Sequence, residues 1–359
     1  MAGVRPLTKD DLPRLAELHL QGFPGNRSRE DVQDFLSDIM FDHPWVDDRM
    51  PSLGYADGSG KLIGCVGVMP RRMTMNDVPV RVAISNNLIV DPAGQPAIAA
   101  FALMRALRSA GADLILGEAS ASARSIAERL GWITVEARCP RWLRPLRPAA
   151  LGIGLLEGRA LSPFAARLLR RVARFPDAMA SRLPGSPLRT GTPAVEDRPL
   201  DAPRLVALIE RVARSFPLRP DYDEASLAWI LDTLGRTRRD QSLRGGVVRG
   251  EEGADVGWYL YYSRPGGIGR VLQIGADEGQ RARVLDHLFH DAWRHGNDGV
   301  SGQADPLWNE DLEASTCVFR GGGSWLIAHA PDPALRGMLS TSAAFLSRLE
   351  TEGWITFAF

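Results

Sequence analysis

The chain has 359 residues, 45% of them apolar and 24% charged, which is the composition of an ordinary globular protein. Its length is greater than that of one typical domain and suits two. The 43 basic and 43 acidic residues cancel, so the chain as a whole has no field that would attract DNA or an anionic membrane. We therefore expect no DNA partner.

The cysteines and the hydropathy pattern indicate a cytoplasmic protein. Cys65, Cys139 and Cys317 are odd in number and far apart, which is typical of a reduced chain. No run approaches 18 consecutive apolar residues, and the first residues lack the apolar core of a signal peptide. We expect a cytoplasmic chain from these two observations.

The first 84 residues predict two helices followed by two hairpins. A strand at 4–7 leads into a helix that ends near residue 23, with Thr8 as its N-cap, and a second helix covers 28–40. Strands at 52–56 and 62–70 flank the turn at 57–60, whose glycines and aspartate favour a hairpin. A second hairpin is predicted at 73–84 around Asn76.

Residues 80–132 predict the order strand, turn, helix, strand, helix. The first strand ends at Asp91-Pro92, and a helical apolar period begins at Ile98 and ends near Gly111. A second apolar strand at 114–116 runs into Ser120-Ala121-Ser122, a cluster of helix N-cap residues. A turn at the N-terminus of the first helix would make an anion site available there.

This stretch carries a resemblance to a known family. Leu88-x-Val90-x-Pro92, followed by Gln95-x-x-x-x-Ala100, resembles the cofactor motif of the GNAT superfamily of N-acetyltransferases, and 125–132 is similar to the family's closing helix. The resemblance implies that the strand pairs with the pantetheine arm of acetyl-CoA and that the turn binds its pyrophosphate. The cofactor-binding residues that it implies are Leu88, Ile89, Val90, Gln95, Ala97, Ile98, Ala99, Ala100 and Ser122.

The chain departs from the family's pattern at three positions. Ile98 stands where the family has glycine, and Pro96 removes one N–H group from the turn. Ala127 stands where many members carry a tyrosine that protonates the leaving thiolate. These departures keep open a catalytically inactive GNAT-like scaffold.

Residues 138–182 contain ten arginines against two acidic residues and are rich in proline. A helix that begins at Ser162-Pro163 would have an apolar face and a basic face formed by Arg167, Arg170, Arg171 and Arg174. Such a face can contact an anionic partner, namely a lipid surface, a carrier protein or RNA. A connecting helix with solvated arginines explains the pattern equally simply.

The order of predicted elements then repeats. Helices are predicted at 203–216, 223–234, 282–295 and 309–318, and strands at 194–198, 243–248, 256–263, 269–274, 299–303 and 324–329. Gly279-Gln280 aligns with Gly94-Gln95, which indicates an internal duplication. We predict an α/β (α+β) fold of two GNAT-like domains, each a mixed central sheet flanked by helices, with 1–140 as the first domain, 141–190 as a linker and 191–359 as a degenerate second domain.

Acyl transfer to an amine needs a base for the incoming ammonium and a polarised thioester carbonyl. Glu118 is the carboxylate at the carboxyl end of the second parallel strand, where open sheets collect ligands. Asn86 and Ser120 lie beside it as groups that can orient the acceptor or the thioester. His287, His290 and Asp291 share one helix face, but a solvated face explains them, so we predict no metal.

These patterns predict an acyl-CoA-dependent N-acyltransferase. We expect acetyl-CoA or another acyl-CoA as cofactor in the first domain, and the amine of a small molecule or sugar as acceptor in the cleft between domains. A Fem-type aminoacyl transferase is the alternative, with charged tRNA held by the segment 138–182.

Overall fold

A computed structural model describes residues 2–23, 27–93, 95–157, 197–237 and 241–358, with scattered positions between 162 and 193. The strands are β1 (Gly3–Pro6), β2 (Leu53–Ala56), β3 (Leu62–Met75), β4 (Val78–Val90), β5 (Leu114–Ala119), β6 (Ile133–Thr134), β7 (Arg141–Pro145), β8 (Arg198–Pro199), β9 (Leu218–Pro220), β10 (Ser242–Arg249), β11 (Asp255–Ser263), β12 (Ile268–Ala276), β13 (Gly299–Gln303), β14 (Val318–Arg320) and β15 (Trp325–His329). The α-helices are α1 (Leu12–Gly22), α2 (Arg29–Met40), α3 (Pro96–Arg108), α4 (Ala121–Arg129), α5 (Pro148–Leu156), α6 (Ala202–Ala213), α7 (Glu224–Thr237), α8 (Arg281–Arg294), α9 (Asn309–Ala314), α10 (Pro333–Leu339) and α11 (Gly353–Ala358). Short 3-10 turns lie at Lys9–Asp11, Glu136–Arg138 and Arg348–Glu350.

The strands form two mixed sheets, which confirms the predicted fold class. The first sheet has the order β1-β2-β3-β4-β5-β15-β6, with β9 added to β3, and the second has the order β14-β7-β13-β12-β11-β10-β8. Each sheet contains one parallel pair, β4 with β5 and β12 with β13, and each pair is joined through a helix, α3 or α8. The two halves therefore share one order of elements.

The second half of the chain contributes β15 and β9 to the first sheet, and β7, which directly follows residue 140, joins the second sheet. Strand β15 lies between β5 and β6, and β7 lies between β13 and β14. The residues Leu326, Ile327 and Ala328 of β15 are buried, so β15 contributes to the core as well as to the hydrogen-bond ladder. The two sheets therefore do not divide at residue 140, where the chain was predicted to divide. The predicted domain boundaries stay a prediction.

The pairing of β15 with the first sheet predicts how fragments of the chain will unfold. Residues 1–140 expressed alone lack β15, which leaves β5 and β6 without the strand that pairs with both of them. We expect this fragment to show no cooperative thermal unfolding, because unpaired edges and an open core face cannot repay the entropy of ordering the chain. Mixing it with residues 141–359 should restore a transition. A cooperative transition of residues 1–140 by themselves would contradict the expectation.

The predicted helices and strands agree with the structure apart from shifts at their ends, but β7, α5, β9 and the elements of the last thirty residues were not predicted. The two predicted hairpins share one long strand, because β3 continues through residues 62–75 and pairs with both β2 and β4. The predicted helix at 309–318 ends at residue 314 and is followed by β14. The sequence analysis predicted no element beyond residue 329, where the structure has α10, a 3-10 turn and α11.

Arg138 joins the two halves at the point where the chain crosses between sheets. Its side chain is buried, and all five of its N–H donors are used. They donate to the carbonyl oxygens of Leu339, Thr341, Ala344 and Leu346 and to the carboxylate of Asp305, at 2.7 to 3.0 Å. The expectation that Arg138 contacts an anionic partner is therefore wrong for this residue.

Other arginines of the segment 138–182 are also engaged within the chain. Arg144 is buried, and Arg147 donates to the carbonyl oxygens of Asn297 and Trp293. Arg170 pairs with Glu157 and donates to the carbonyl of Gly266. The predicted basic residues Arg159, Arg167, Arg171, Arg174 and Arg182 lie outside the described residues, so the anionic partner stays a prediction there.

Candidate active site at the opening of the first sheet

Strands β4 and β5 pair only over residues 82–84 and 114–116, and then diverge. Beyond this point the Ser85 hydroxyl donates to the carbonyl oxygen of Leu116 at 3.2 Å. Asn87 has a left-handed backbone with φ of 48°, opposite a register shift between Cys65 and Gly67. Asparagine adopts this conformation more readily than most residues, so Asn86-Asn87 supplies the bulge that opens the sheet.

The carboxylate of Glu352 lies in this opening and bridges the two strands. The Asn87 N–H donates to Glu352 Oε1 at 3.2 Å, and the Glu118 N–H donates to Glu352 Oε2 at 2.8 Å. These are the N–H groups that a continued parallel ladder would have used. A residue from the C-terminal segment thus completes an opening formed by the first half of the chain.

The surroundings of Glu352 give its carboxylate an unusual pKa. Burial and the neighbouring Glu118 carboxylate raise this pKa from 4.5 to about 8, against the two N–H bonds, which lower it. Glu352 as a whole residue is partly exposed. A carboxylate with a pKa near neutrality is suited to accept a proton from an ammonium group.

Glu118 stands beside Glu352, as part of the same site. Its Oε2 accepts from the Ser324 hydroxyl at 2.9 Å, and that hydroxyl accepts from Arg141 Nη2 at 3.0 Å. Glu118 also favours the charged form of the buried Arg348, although burial and the positive charges of Arg141 and Arg270 lower the pKa of Arg348 to about 9. The predicted catalytic residue Glu118 therefore lies in a charged network that includes arginines from the second half.

Asn86, the second predicted catalytic residue, is buried. Its Nδ2 donates to the Ile84 carbonyl at 3.4 Å, and its Oδ1 accepts from Asn87 Nδ2 at 3.0 Å. The side chain of Asn87 also bonds with His19, a buried residue of α1. Asn86 thus orients Asn87, which in turn presents its backbone N–H to the opening.

Burial and the charge of Arg27 lower the pKa of His19 to about 4, against the bond from Asn87, which raises it. An unfolded histidine with a pKa near 6.5 takes up a proton first, so the contribution of neutral His19 to stability is present above pH 6.5 and is lost as the pH falls towards 4. We expect the loss of unfolding free energy between pH 7 and pH 4.5 to be smaller in His19→Gln by about 2–3 kcal/mol. Urea unfolding at both pH values measures it, and equal losses in the two proteins would contradict it.

Only part of the predicted cofactor-binding strand and turn is exposed to a ligand. Leu88 and Val90 are half-buried and Ile89 is buried, while Gln95, Ala97 and Ile98 are exposed and Ala99 and Ala100 are buried. The Ile98 and Ala99 N–H groups both donate to the Gln95 carbonyl at 3.1 Å. Pro96 has no N–H, so Gln95 and Ala97 are the members of this turn whose N–H groups can reach a phosphate. Gly94 lies outside the described residues.

Asp91 is an acidic residue at this turn, and its charge was not considered in the prediction of the cofactor site. Its carboxylate accepts from the Ala93 N–H at 3.0 Å and from Arg14 at 2.8 Å, and both bonds lower its pKa. The ion pair with Arg14 neutralises a charge that would otherwise repel a pyrophosphate.

Ser120 and Ser122 lie at the start of α4, both exposed. The Ser120 hydroxyl accepts from the Ala123 N–H as the helix cap and is 3.1 Å from the Ser122 hydroxyl. Capping α4 is a structural role for Ser120. These contacts do not add support for its predicted catalytic role. Ala127, where the family has a tyrosine, is buried in the core.

The corresponding opening of the second sheet is crossed by structural hydrogen bonds and holds a cavity of only about 40 Å³. Strands β12 and β13 pair over residues 268–270 and 299–301 and then diverge. Beyond that point Gln273 bonds with Trp258 and Glu350, and Gln303 donates to the Arg138 carbonyl. In the turn that follows β12, Asp277 pairs with Arg211.

Glu352 and Arg348 were missed because they follow the last predicted strand. The sequence signal was available: Arg348, Glu350 and Glu352 lie in a segment that also contains the apolar residues Leu346, Leu349, Trp354 and Ile355. Charged residues inside an apolar segment are seldom buried without a partner. Their partners come from residues far away in the chain, which periodicity does not reveal.

Solved structures with this fold include acyltransferases. A GCN5-related N-acetyltransferase from Anabaena variabilis superposes with a TM-score of 0.57 over 91% of this chain and 72% of its own, at 12% identity. A probable N-acyltransferase from Enterococcus faecalis has a TM-score of 0.57 over 92% of this chain and 72% of its own, at 10% identity. Saccharomyces cerevisiae N-myristoyltransferase, solved with myristoyl-CoA, has a TM-score of 0.52 over 98% of this chain and 85% of its own, at 14% identity.

These likenesses confirm the GNAT-like fold that the motif predicted, over nearly the whole chain. No family model matches the sequence, and a comparison with curated proteins finds no significant match. Among the described residues, no helix is both long and apolar enough to cross a membrane. In the same part of the chain, no three histidine, cysteine or carboxylate side chains gather as metal ligands.

Proposed function

We propose that this protein transfers an acyl group from an acyl-CoA to an amine, at the opening between β4 and β5. One observation carries the proposal: the Glu352 carboxylate, with its pKa raised to about 8, bridges the Asn87 and Glu118 N–H groups in that opening. The fold supports it, because this is where a GNAT-like sheet opens for its donor. Glu118, which was predicted to be catalytic, is proposed instead to lie beside the base, Glu352, and to raise its pKa.

The transfer forms one bond and breaks another, and Glu352 accepts one proton. Glu352 takes a proton from the acceptor's ammonium group, and the free amine nitrogen then forms a bond to the thioester carbon. The carbon–sulfur bond breaks, the electron pair leaves with the sulfur of CoA, and the nitrogen gives its second proton to water as the amide forms. A thiolate with a pKa near 8.5 is an acceptable leaving group at this pH and can take its proton from water, so a tyrosine at position 127 is not required.

The donor is proposed to lie along β4 with its pyrophosphate near the N-terminus of α3. The positive end of this helix and the N–H groups of Gln95 and Ala97 favour an anion there. Arg14 lies close by and compensates Asp91. Acetyl-CoA is the donor proposed first, and a longer acyl-CoA is the alternative.

Release of free thiol from acyl-CoA tests the proposal. We expect thiol release from acetyl-CoA or a longer acyl-CoA, dependent on an added amine and increasing with pH up to about 8. The acceptor screen covers amino sugars, amino acids and polyamines. Binding of acyl-CoA without any amine-dependent release would favour the inactive scaffold, and a salt-dependent shift of charged tRNA without acyl-CoA binding would favour the Fem-type alternative.

A further inference from the structure

A cavity of about 740 Å³ lies on the face of the second sheet formed by β7, β12 and β13, under α5. Its volume is in the range of sites for small molecules. Six of its lining residues are arginines: Arg141, Arg170, Arg264, Arg270, Arg320 and Arg348. Only two of its lining residues are acidic, Glu157 and Asp298, so the cavity is strongly positive in a chain whose net charge is zero.

The arginines run from an exposed rim to a buried end. Arg264 and Arg320 are exposed, Arg141 and Arg270 are half-buried, and Arg348 is buried. In the part of the chain that the structure describes, no carboxylate pairs with the guanidinium groups of Arg264 or Arg320. Like charges that converge in a partly buried space repel one another, and an anion in the cavity would relieve this repulsion.

The buried end of the cavity reaches the candidate active site. Arg141 donates to the Ser324 hydroxyl at 3.0 Å, and that hydroxyl donates to Glu118 at 2.9 Å. Arg348 lies four residues before Glu352 and close enough to Glu118, Arg141 and Arg270 for each of their charges to affect it. A small molecule that fills the cavity would therefore end beside the two carboxylates.

We propose that the cavity holds the acceptor, and that the acceptor is an amine that carries an oxyanion group, a phosphate or a carboxylate. The arginines bind the oxyanion, and the amine points towards Glu118 and Glu352. This inference rests on the proposed function and adds the chemical class of the acceptor. Arginine suits the task, because its planar fork of donors matches both phosphate and carboxylate.

Pairs of amines that differ in one charge test the inference on the full-length chain. O-phosphoethanolamine is compared with ethanolamine, and glycine with glycinamide, in the thiol-release assay with acetyl-CoA. We expect the charged member to have a KM at least about tenfold lower. The first pair reports a phosphate and the second a carboxylate, which identifies the oxyanion.

Two rim variants locate the effect, since exposed arginines can be replaced without loss of folding. Arg264→Gln and Arg320→Gln should each raise the KM of the charged amine about tenfold and leave that of the neutral amine unchanged. Arg214→Gln is the matched control: Arg214 is an exposed arginine directly after α6, and its replacement should change neither KM. Calorimetric titration with O-phosphoethanolamine measures the same loss of binding without turnover.

The inference is overturned if charged and neutral amines react equally and O-phosphoethanolamine does not bind, while thiol release would still support the proposed function. It is also overturned if Arg264→Gln and Arg320→Gln weaken acetyl-CoA and spare the amine, because the cavity would then hold the donor. Binding of O-phosphoethanolamine that is lost in both rim variants supports the inference even where thiol release is not observed.

Discussion

Glu352→Gln is expected to lower the rate of acyl transfer by at least about 100-fold at pH 8, with little change in the affinity for acyl-CoA. The amide has the shape of the carboxylate but accepts no proton from the ammonium group, and general bases contribute about this much to rates. In the unmodified chain the rate should fall tenfold per pH unit below about 8, where Glu352 becomes protonated. The variant should lose this dependence.

Glu118→Gln is the matched control. Removing the Glu118 charge takes away one cause of the raised pKa of Glu352, so the acidic limb of the pH profile should move to lower pH. The rate above pH 8 should stay within about tenfold. Full activity in Glu352→Gln together with a large loss in Glu118→Gln would return the base to Glu118.

Arg138→Met is expected to reduce the free energy of unfolding by about 3–5 kcal/mol. The change leaves four carbonyl oxygens and the Asp305 carboxylate without the donors that now reach them at 2.7 to 3.0 Å. Because those carbonyls belong to the segment that leads to Arg348 and Glu352, binding of acyl-CoA should also weaken. Urea unfolding gives the stability.

Two further variants identify the cause of the lost stability. Arg138→Lys keeps the charge but has three donors instead of five, so its loss should be intermediate. Arg214→Met removes an exposed ion pair with Glu210 and should cost about 1 kcal/mol or less. An Arg138→Met variant within 1 kcal/mol of the unmodified chain would show that the buried bonds contribute little.

The helices and strands of both halves could be predicted because local signals specify them. The switch from the apolar run at 88–90 to the helical period after Ile98 predicted β4 and α3, and Gly111 has the left-handed backbone expected after the helix. Asn86, which was predicted to act beside Glu118, does lie where the strands part. These elements were therefore accessible from spacing and residue type, and the GNAT-like fold from the resemblance of the motif at 88–100.

The sheets that β7 and β15 join and the identity of the central carboxylate could not be predicted. Strand β15 pairs with β5 across some 200 residues, and short apolar strands such as β7 and β15 carry no signal for the sheet that they join. Glu352 reaches Asn87 across a similar separation. The raised pKa of Glu352 depends on burial and on Glu118, both of which exist only in the folded chain.

The central claim is that acyl-CoA binds at the opening between β4 and β5 with its thioester beside Glu352. A crystal structure of the full-length chain with a non-hydrolysable acetyl-CoA analogue tests it most directly. The account predicts the pantetheine arm along Leu88–Val90, the pyrophosphate near Gln95 and Ala97, and the thioester carbon within about 4 Å of Glu352 or one bridging water away. An analogue bound at the turn Gly279–Arg283, or in the arginine-lined cavity of the second sheet, would contradict it.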